Sequence, residues 1–236
     1  MKFTSKVAAF IAALLFAGLA AAPASAGEEG GYVYNHGEAR FQANVYNFIR
    51  HFNYDQYLWC QSYMFNTSNT NYVDNMDFAY YSGHGNNWYM GMGPGASTSG
   101  VSINSSCKWG NTDLEFIVFQ SCKVVPSPMD RFDWYARWVG GTNGVFQGLH
   151  QAIGYRTNSN SGNGISNNYG SRISSGQCVW QAWFNAVDDE RAWWYGSTYP
   201  GFASVVLYPG LDYDTYYSFG VDPPDNHSSL RSYYQY

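Results

Sequence analysis

Residues 114–120 place five apolar or aromatic side chains among seven positions, with no alternation between polar and apolar faces. A strand with one wet face alternates, whereas a central strand covered on both faces reads as a continuous apolar run. This segment therefore asks for layers above and below it. Residues 77–81 form a second short run, closed by Ser82-Gly83, and residues 145–155 and 202–208 supply two more. Helical patterns lie between them. Over 38–52, Phe41, Val45, Phe48, Ile49 and Phe52 fall on one helical face. Ser127 and Asp130 resemble a helix start, with the helix running to about Val139 before the stop at 140–144. Over 176–187, Val179, Trp180, Trp183, Phe184 and Val187 share a face. Helices between short buried strands predict an α/β domain with a mostly parallel central sheet flanked by helices. Residues 54–65 read as a strand or an irregular segment, and 86–100 as a Gly-, Met- and Ser-rich loop. Residues 156–174, nearly all Asn, Ser and Gly, read as a long structureless connection of the kind that is functional or disordered.

The first 26 residues are set apart from this pattern. Lys2 and Lys6 open an apolar stretch over 7–19, and Ala24-Ser25-Ala26 supplies the small-residue cleavage site of a secretory signal peptide. That stretch is short for a membrane span, which takes about 20 residues, and no second long apolar run follows. A secreted protein, extracellular or periplasmic, is therefore expected: residues 27–236 as one domain with a peripheral tail from Asp222. Without Lys2 and Lys6, the remaining basic residues face 17 acidic ones, for a net charge of about −7. No basic stripe exists, which argues against a nucleic acid or an anionic membrane as the partner. Aromatic residues make up 19% of the chain and charged residues only 12%, which suits a Tyr-rich surface over a Trp-rich core. A stacking platform for glycans or peptides is the sharper and less favoured reading of the same composition.

The two central runs each end in a reactive side chain. The first gives Tyr80-Tyr81-Ser82-Gly83-His84-Gly85 and the second Phe119-Gln120-Ser121-Cys122. In open α/β sheets, ligands gather outside the carboxyl ends of the strands, and both His84 and Cys122 fall there. A thiol with a free pKa near 8.5 becomes an effective nucleophile when a neighbouring imidazole takes its proton. The backbone N–H groups of Gly85 and Cys122 are candidate oxyanion donors.

These motifs resemble the two strand ends of caspase-like cysteine peptidases, the group that includes legumain, gingipain and clostripain. They are similar, too, to secreted bacterial proteins of unassigned function with the same S-G-H-G…S-C layout. The resemblance covers roughly residues 74–155. It implies a caspase-like (caspase-hemoglobinase) architecture, with His84 as general base and Cys122 as nucleophile of an acyl-enzyme mechanism on peptide or protein substrates. Many relatives carry Ala where this chain has Ser121.

Four cysteines, Cys60, Cys107, Cys122 and Cys178, in a chain bound for an oxidising compartment make two disulfides the default expectation. Paired thiols would leave a catalytically silent binding or structural protein of the same fold. Two weaker candidates for a substrate pocket are Asp130, placed to accept a basic side chain, and His150, before the strand that ends at Tyr155. No metal-ligand spacing or cofactor motif is present, so neither a metal nor a cofactor is predicted. A paired-carboxylate glycosidase has no motif behind it.

Overall fold

The computed structural model describes residues 27–139, 144–159, 162–193, 201–224 and 229–236. The signal peptide expected over 1–26, and most of the 140–144 helix stop, lie outside them. In chain order come β1 (Glu29–Val33), α1 (Ala39–Ile49), β2 (Gln56–Trp59) and three short 3-10 turns between 62 and 75. Strand β3 (Phe78–Ser82) precedes a small antiparallel sheet of β4 (Gly85–Asn86), β5 (Tyr89–Gly91) and β6 (Gly100–Ser102). Then follow β7 (Phe116–Gln120), α2 (Trp134–Trp138), β8 (Gln151–Tyr155), α3 (Asn163–Ser174) and α4 (Val179–Trp193). Strands β9 (Ala203–Leu207) and β10 (Arg231–Tyr234) complete the chain.

The main sheet has seven strands in the order β10-β9-β8-β7-β3-β1-β2. Strands β2, β1, β3, β7 and β8 are mutually parallel, β9 runs against β8, and β10 runs against β9. The predicted α/β class with a mostly parallel, helix-flanked sheet is what forms, with an antiparallel pair added at one side. Strands β1, β3, β7, β8 and β9 are buried at every position, which is why their sequences do not alternate.

Two cores lie on the two faces. Phe78, Tyr80, Phe116, Val118, Ile153 and Tyr155 belong to the core that includes the buried faces of α1, α3 and α4. Ala79, Tyr81, Ile117, Phe119 and Ala152 face the other way, with Phe65, Trp109, Trp134 and Trp138. Each buried Phe, Ile or Val contributes roughly 1.5–3 kcal/mol, so the four in β7 anchor both layers at once. Gly31 sits beneath α1, where a Cβ would run into Val45 and Ile49; glycine there lets the helix approach the sheet closely.

The structure differs from the sequence reading in five places, the first being strand β1, for which no strand was expected. The predicted loop at 86–100 carries most of the three-stranded small sheet. The 156–174 segment, expected to be structureless, contains α3, whose Ile165, Tyr169 and Ile173 recur every fourth residue and are buried. The helix expected from Ser127 is a turn that becomes helical only over Trp134–Trp138. The tail contributes β10, held by stacking of Tyr233 on Trp180 at 4.8 Å and by Gln235, whose N–H donates to Ala203 O at 3.0 Å.

The sheet has two chemically distinct edges. At its amino edge Glu28, Asp77, Glu115 and His150 stand one residue before β1, β3, β7 and β8, in one register row. Backbone hydrogen bonds knit that row: Glu115 N–H donates to Asp77 O, and His150 N–H to Glu115 O. Glu115 is buried and its Oε2 has no hydrogen-bond partner. Burial, then the charges of Asp77, Asp222 and Asp113, push its carboxyl up to about 10. Glu29, one row inward, accepts a hydrogen bond from the Tyr216 hydroxyl, yet burial still raises its carboxyl to about 7.

Candidate active site

The carboxyl edge is built by the register of β3 against β7. Ser82 pairs with Gln120, so His84 and Cys122 each lie two residues beyond one register pair on adjacent parallel strands, whose axes run about 4.8 Å apart. The two loops touch. A Cβ on Gly85 would collide with Ser121 Oγ and Val124 Cγ2 and lie 2.9 Å from Tyr89 O, so glycine is required at that contact. Ser121 is buried and its Oγ has no hydrogen-bond partner.

The histidine loop is held from several directions. The Tyr81 hydroxyl lies 2.9 Å from His84 O and 2.6 Å from Gly91 O, and Gly91 N–H donates to His84 O at 2.8 Å. That last bond makes Gly85–Met90 the non-hydrogen-bonded pair of the β4–β5 ladder. The Gly85 N–H therefore points away from β5, free of that ladder. The His84 ring packs edge-on against Tyr34 and Phe41, at 5.1 and 5.0 Å between centroids.

Its Nε2 meets Glu38 Oε1 at 2.8 Å, with the two side chains 53% and 47% exposed. Glu38 occupies the N-cap of α1 but makes no capping hydrogen bond; its carboxylate faces His84 and also Arg40, at 2.6 Å. Desolvation is the largest single influence on Glu38 and works against ionisation. The hydrogen bonds from His84 and Arg40 prevail and hold its carboxyl below the usual range. This is an imidazole oriented by a carboxylate, with Nδ1 left as the second ring nitrogen. Beside it opens a cleft of about 690 Å³, lined by Tyr34, His36, Glu38, His84, Pro94 and Ser97 among others.

Cys122 lies two residues past the end of β7 at a sharp turn, with Lys123 in the left-handed region at a φ of 56°. Its sulfur accepts a hydrogen bond from Ser159 N–H at 3.4 Å and lies 3.7 Å from Ser159 Oγ. Lys123 N–H donates to Thr157 O at 2.9 Å, so the β8–α3 connection lies along the cysteine turn. Cys122 and His84 thus share one sheet edge but hold no hydrogen bond to each other. None of the four cysteines is in a disulfide, so the two-disulfide pattern expected from the cysteine count does not form. Cys60 and Cys107 are buried, which pushes the first thiol well above its ordinary value and the second to about 11.

The two weaker pocket candidates lie elsewhere. Asp130 is already engaged: Arg156 holds both its oxygens, at 3.0 and 2.6 Å, and the Ser127 amide and hydroxyl add 2.8 and 2.6 Å contacts. It ties the turn after β7 to the end of β8 and offers little to a substrate cation. His150 is fully buried at the amino edge, the far end of the strands from His84. Its Nδ1 meets Asp214 Oδ2 at 2.8 Å and its Nε2 lies 3.5 Å from Asp222. It cannot line the same cleft.

Sequence reasoning missed Glu38. It precedes His84 by 46 residues, and only the β1–β3 pairing brings the start of α1 beside the histidine loop. The sequence puts it at the first position of the amphipathic 38–52 helix, where it reads as an ordinary first-turn acid.

Comparison with curated proteins found no match. A family model described as a domain of unknown function, DUF6345, matches residues 29–232, a span that takes in His84, Cys122, Glu38 and all ten strands except the last two residues of β10. The chain belongs to the DUF6345 family.

Proposed function

We propose that the protein is a cysteine hydrolase that cleaves peptide-type acyl bonds with a Cys122–His84–Glu38 constellation. The observation that carries this reading is the carboxylate-oriented histidine, one strand away from a free cysteine at the equivalent register position. A caspase-like architecture is part of the proposal. Support for it comes from the strand order β2-β1-β3-β7-β8, with histidine after the third and cysteine after the fourth.

In this mechanism the Cys122 sulfur attacks the substrate carbonyl carbon, and its proton passes to His84 Nδ1. Glu38 holds the ring orientation and stabilises the imidazolium through Nε2. The Gly85 and Cys122 amides receive the oxyanion. Collapse of the tetrahedral intermediate expels the amine, which takes the proton back from His84. Water, deprotonated by the same ring, attacks the thioester carbonyl; the C–S bond breaks, the acid product leaves and the Cys122 sulfur takes the proton back from His84. Unliganded catalytic pairs commonly stand apart and tighten on substrate, so the separate partners of Cys122 and His84 are compatible with this sequence of steps. The leader-like residues 1–26 favour a site of action outside the cytoplasm.

The test is covalent trapping. Peptidyl ketones bearing a thiol-reactive leaving group, incubated with the full chain, are expected to modify Cys122 once and spare the buried Cys60 and Cys107, as read by peptide mass spectrometry. His84→Ala should slow that modification sharply. Labelling that ignores His84, or spreads equally over Cys178, would leave a silent binding protein as the better reading.

A further inference from the structure

At the amino edge of the sheet Asp77, Asp113 and Glu115 each bring one carboxylate oxygen to within 4.8 Å of the others. Two of them, Asp77 and Glu115, stand in one register row, each one residue before the adjacent strands β3 and β7. Ionising both would set like charges side by side in a poorly solvated row, so the ionised arrangement calls for a counter-charge. Asp77 has a partial one: its Oδ2 accepts the backbone N–H groups of Gly27 and Glu28 at 2.6 and 2.7 Å. Glu115 has none. It is 5% exposed, and its Oε2 makes no hydrogen bond. A buried carboxylate with one unpaired oxygen, facing two further carboxylates, is costly to ionise unless something bridges them.

Neighbouring side chains do not supply that bridge. His150 is turned to Asp214 through Nδ1, and Asp222 lies against its other nitrogen at 3.5 Å. Among the described residues, no Lys or Arg ion pair involves Asp77, Asp113 or Glu115.

We propose that this edge is a binding site for a divalent cation of calcium type, with Asp77, Asp113 and Glu115 as its protein ligands. Calcium–oxygen distances of about 2.3–2.6 Å allow ligand atoms up to roughly 4.6–5.2 Å apart, so three oxygens all within 4.8 Å of one another can share one such ion. The donor chemistry fits as well, because the set is all carboxylate, with no thiol or imidazole to select a softer metal. The bound ion clamps the chain just before β3 to the chain just before β7. These are the two strands that carry His84 and Cys122 at their other ends. The site does not depend on the hydrolase reading, since none of its ligands belongs to the candidate active site.

The test uses the full chain stripped of divalent ions with a chelator. Thermal unfolding is followed while calcium chloride is added, with isothermal titration calorimetry on the same sample. Calcium at about a hundred times its dissociation constant should raise the melting temperature by roughly 5–10 °C. Glu115→Gln keeps the side-chain shape and should fold, yet lose most of that rise and the binding heat. Asp113→Asn, nearer the surface, is the second variant and should weaken binding at least about tenfold. Three results would overturn the proposal: no rise in the unsubstituted protein, an equal rise with sodium chloride at matched ionic strength, or a full calcium response in both variants.

Discussion

The two edges of the central sheet use acidic residues in opposite ways. At the carboxyl edge, Glu38 is half exposed, ionised and doubly partnered, and its carboxylate orients His84. At the amino edge, Glu115 and Glu29 are buried, and each keeps an oxygen without a hydrogen bond. The same strands, five residues long, separate the two settings. The difference teaches that an acid at a strand end becomes a tool for chemistry only where water and a cation hold it charged. Where burial dominates, the same group becomes a term in stability, governed by protons or by an external cation. One rigid scaffold of β3 and β7 carries both.

Three measurements would break or sharpen that contrast. The largest effect is expected at the carboxyl edge, where His84→Ala should reduce acyl transfer by roughly 10²–10⁴-fold while leaving the unfolding transition in place. A variant that keeps its rate would remove chemistry from that edge altogether. Next comes Glu38→Gln. It keeps a hydrogen-bonding group beside Nε2 but removes the charge that stabilises the imidazolium, and a loss of about 100-fold, mainly in kcat, is expected. A change confined to KM would show that Glu38 belongs to the cleft wall instead.

The smallest effect concerns the amino edge and is read by urea unfolding in chelator. Glu29 has its folded value raised to about 7 from 4.5, so between those limits the native state holds a proton that the unfolded chain releases. Its contribution is therefore fully present below about pH 4.5 and is lost as pH rises through 7. Glu29→Gln should flatten that decline between about pH 5 and 8, by on the order of 2 kcal/mol. Parallel stability curves for the two proteins would mean that Glu29 does not set the balance at this edge.

How far these edges were legible in the sequence follows from what each depends on. The unalternating runs at 77–81 and 114–120 announced two strands buried on both faces, and the stripe of Phe41, Val45, Phe48 and Ile49 announced α1. Local pattern decides these elements. Helix α3 was hidden because Asn, Ser and Gly have weak helix propensity; only Ile165, Tyr169 and Ile173 betray it, and tertiary packing supplies the rest. Strand β1, with Gly30 and Gly31, looks like a poor strand for the very reason that α1 lies so close to it. His84 and Cys122 could be found because each follows a readable strand. Glu38 and the acidic row could not, since both arise from registers between strands that lie far apart in sequence.

Strand β10 carries a consequence for handling the molecule. It is half exposed and pairs with Ser204–Leu207 of β9, whose Ala-Ser-Val-Val-Leu sequence is fully buried. Shortening the chain at its end would bare a flat, uncharged, β-branched border with its peptide groups unpaired, the kind of surface on which a second molecule adds a strand. Removal of residues 231–236 is therefore expected to show first as aggregation.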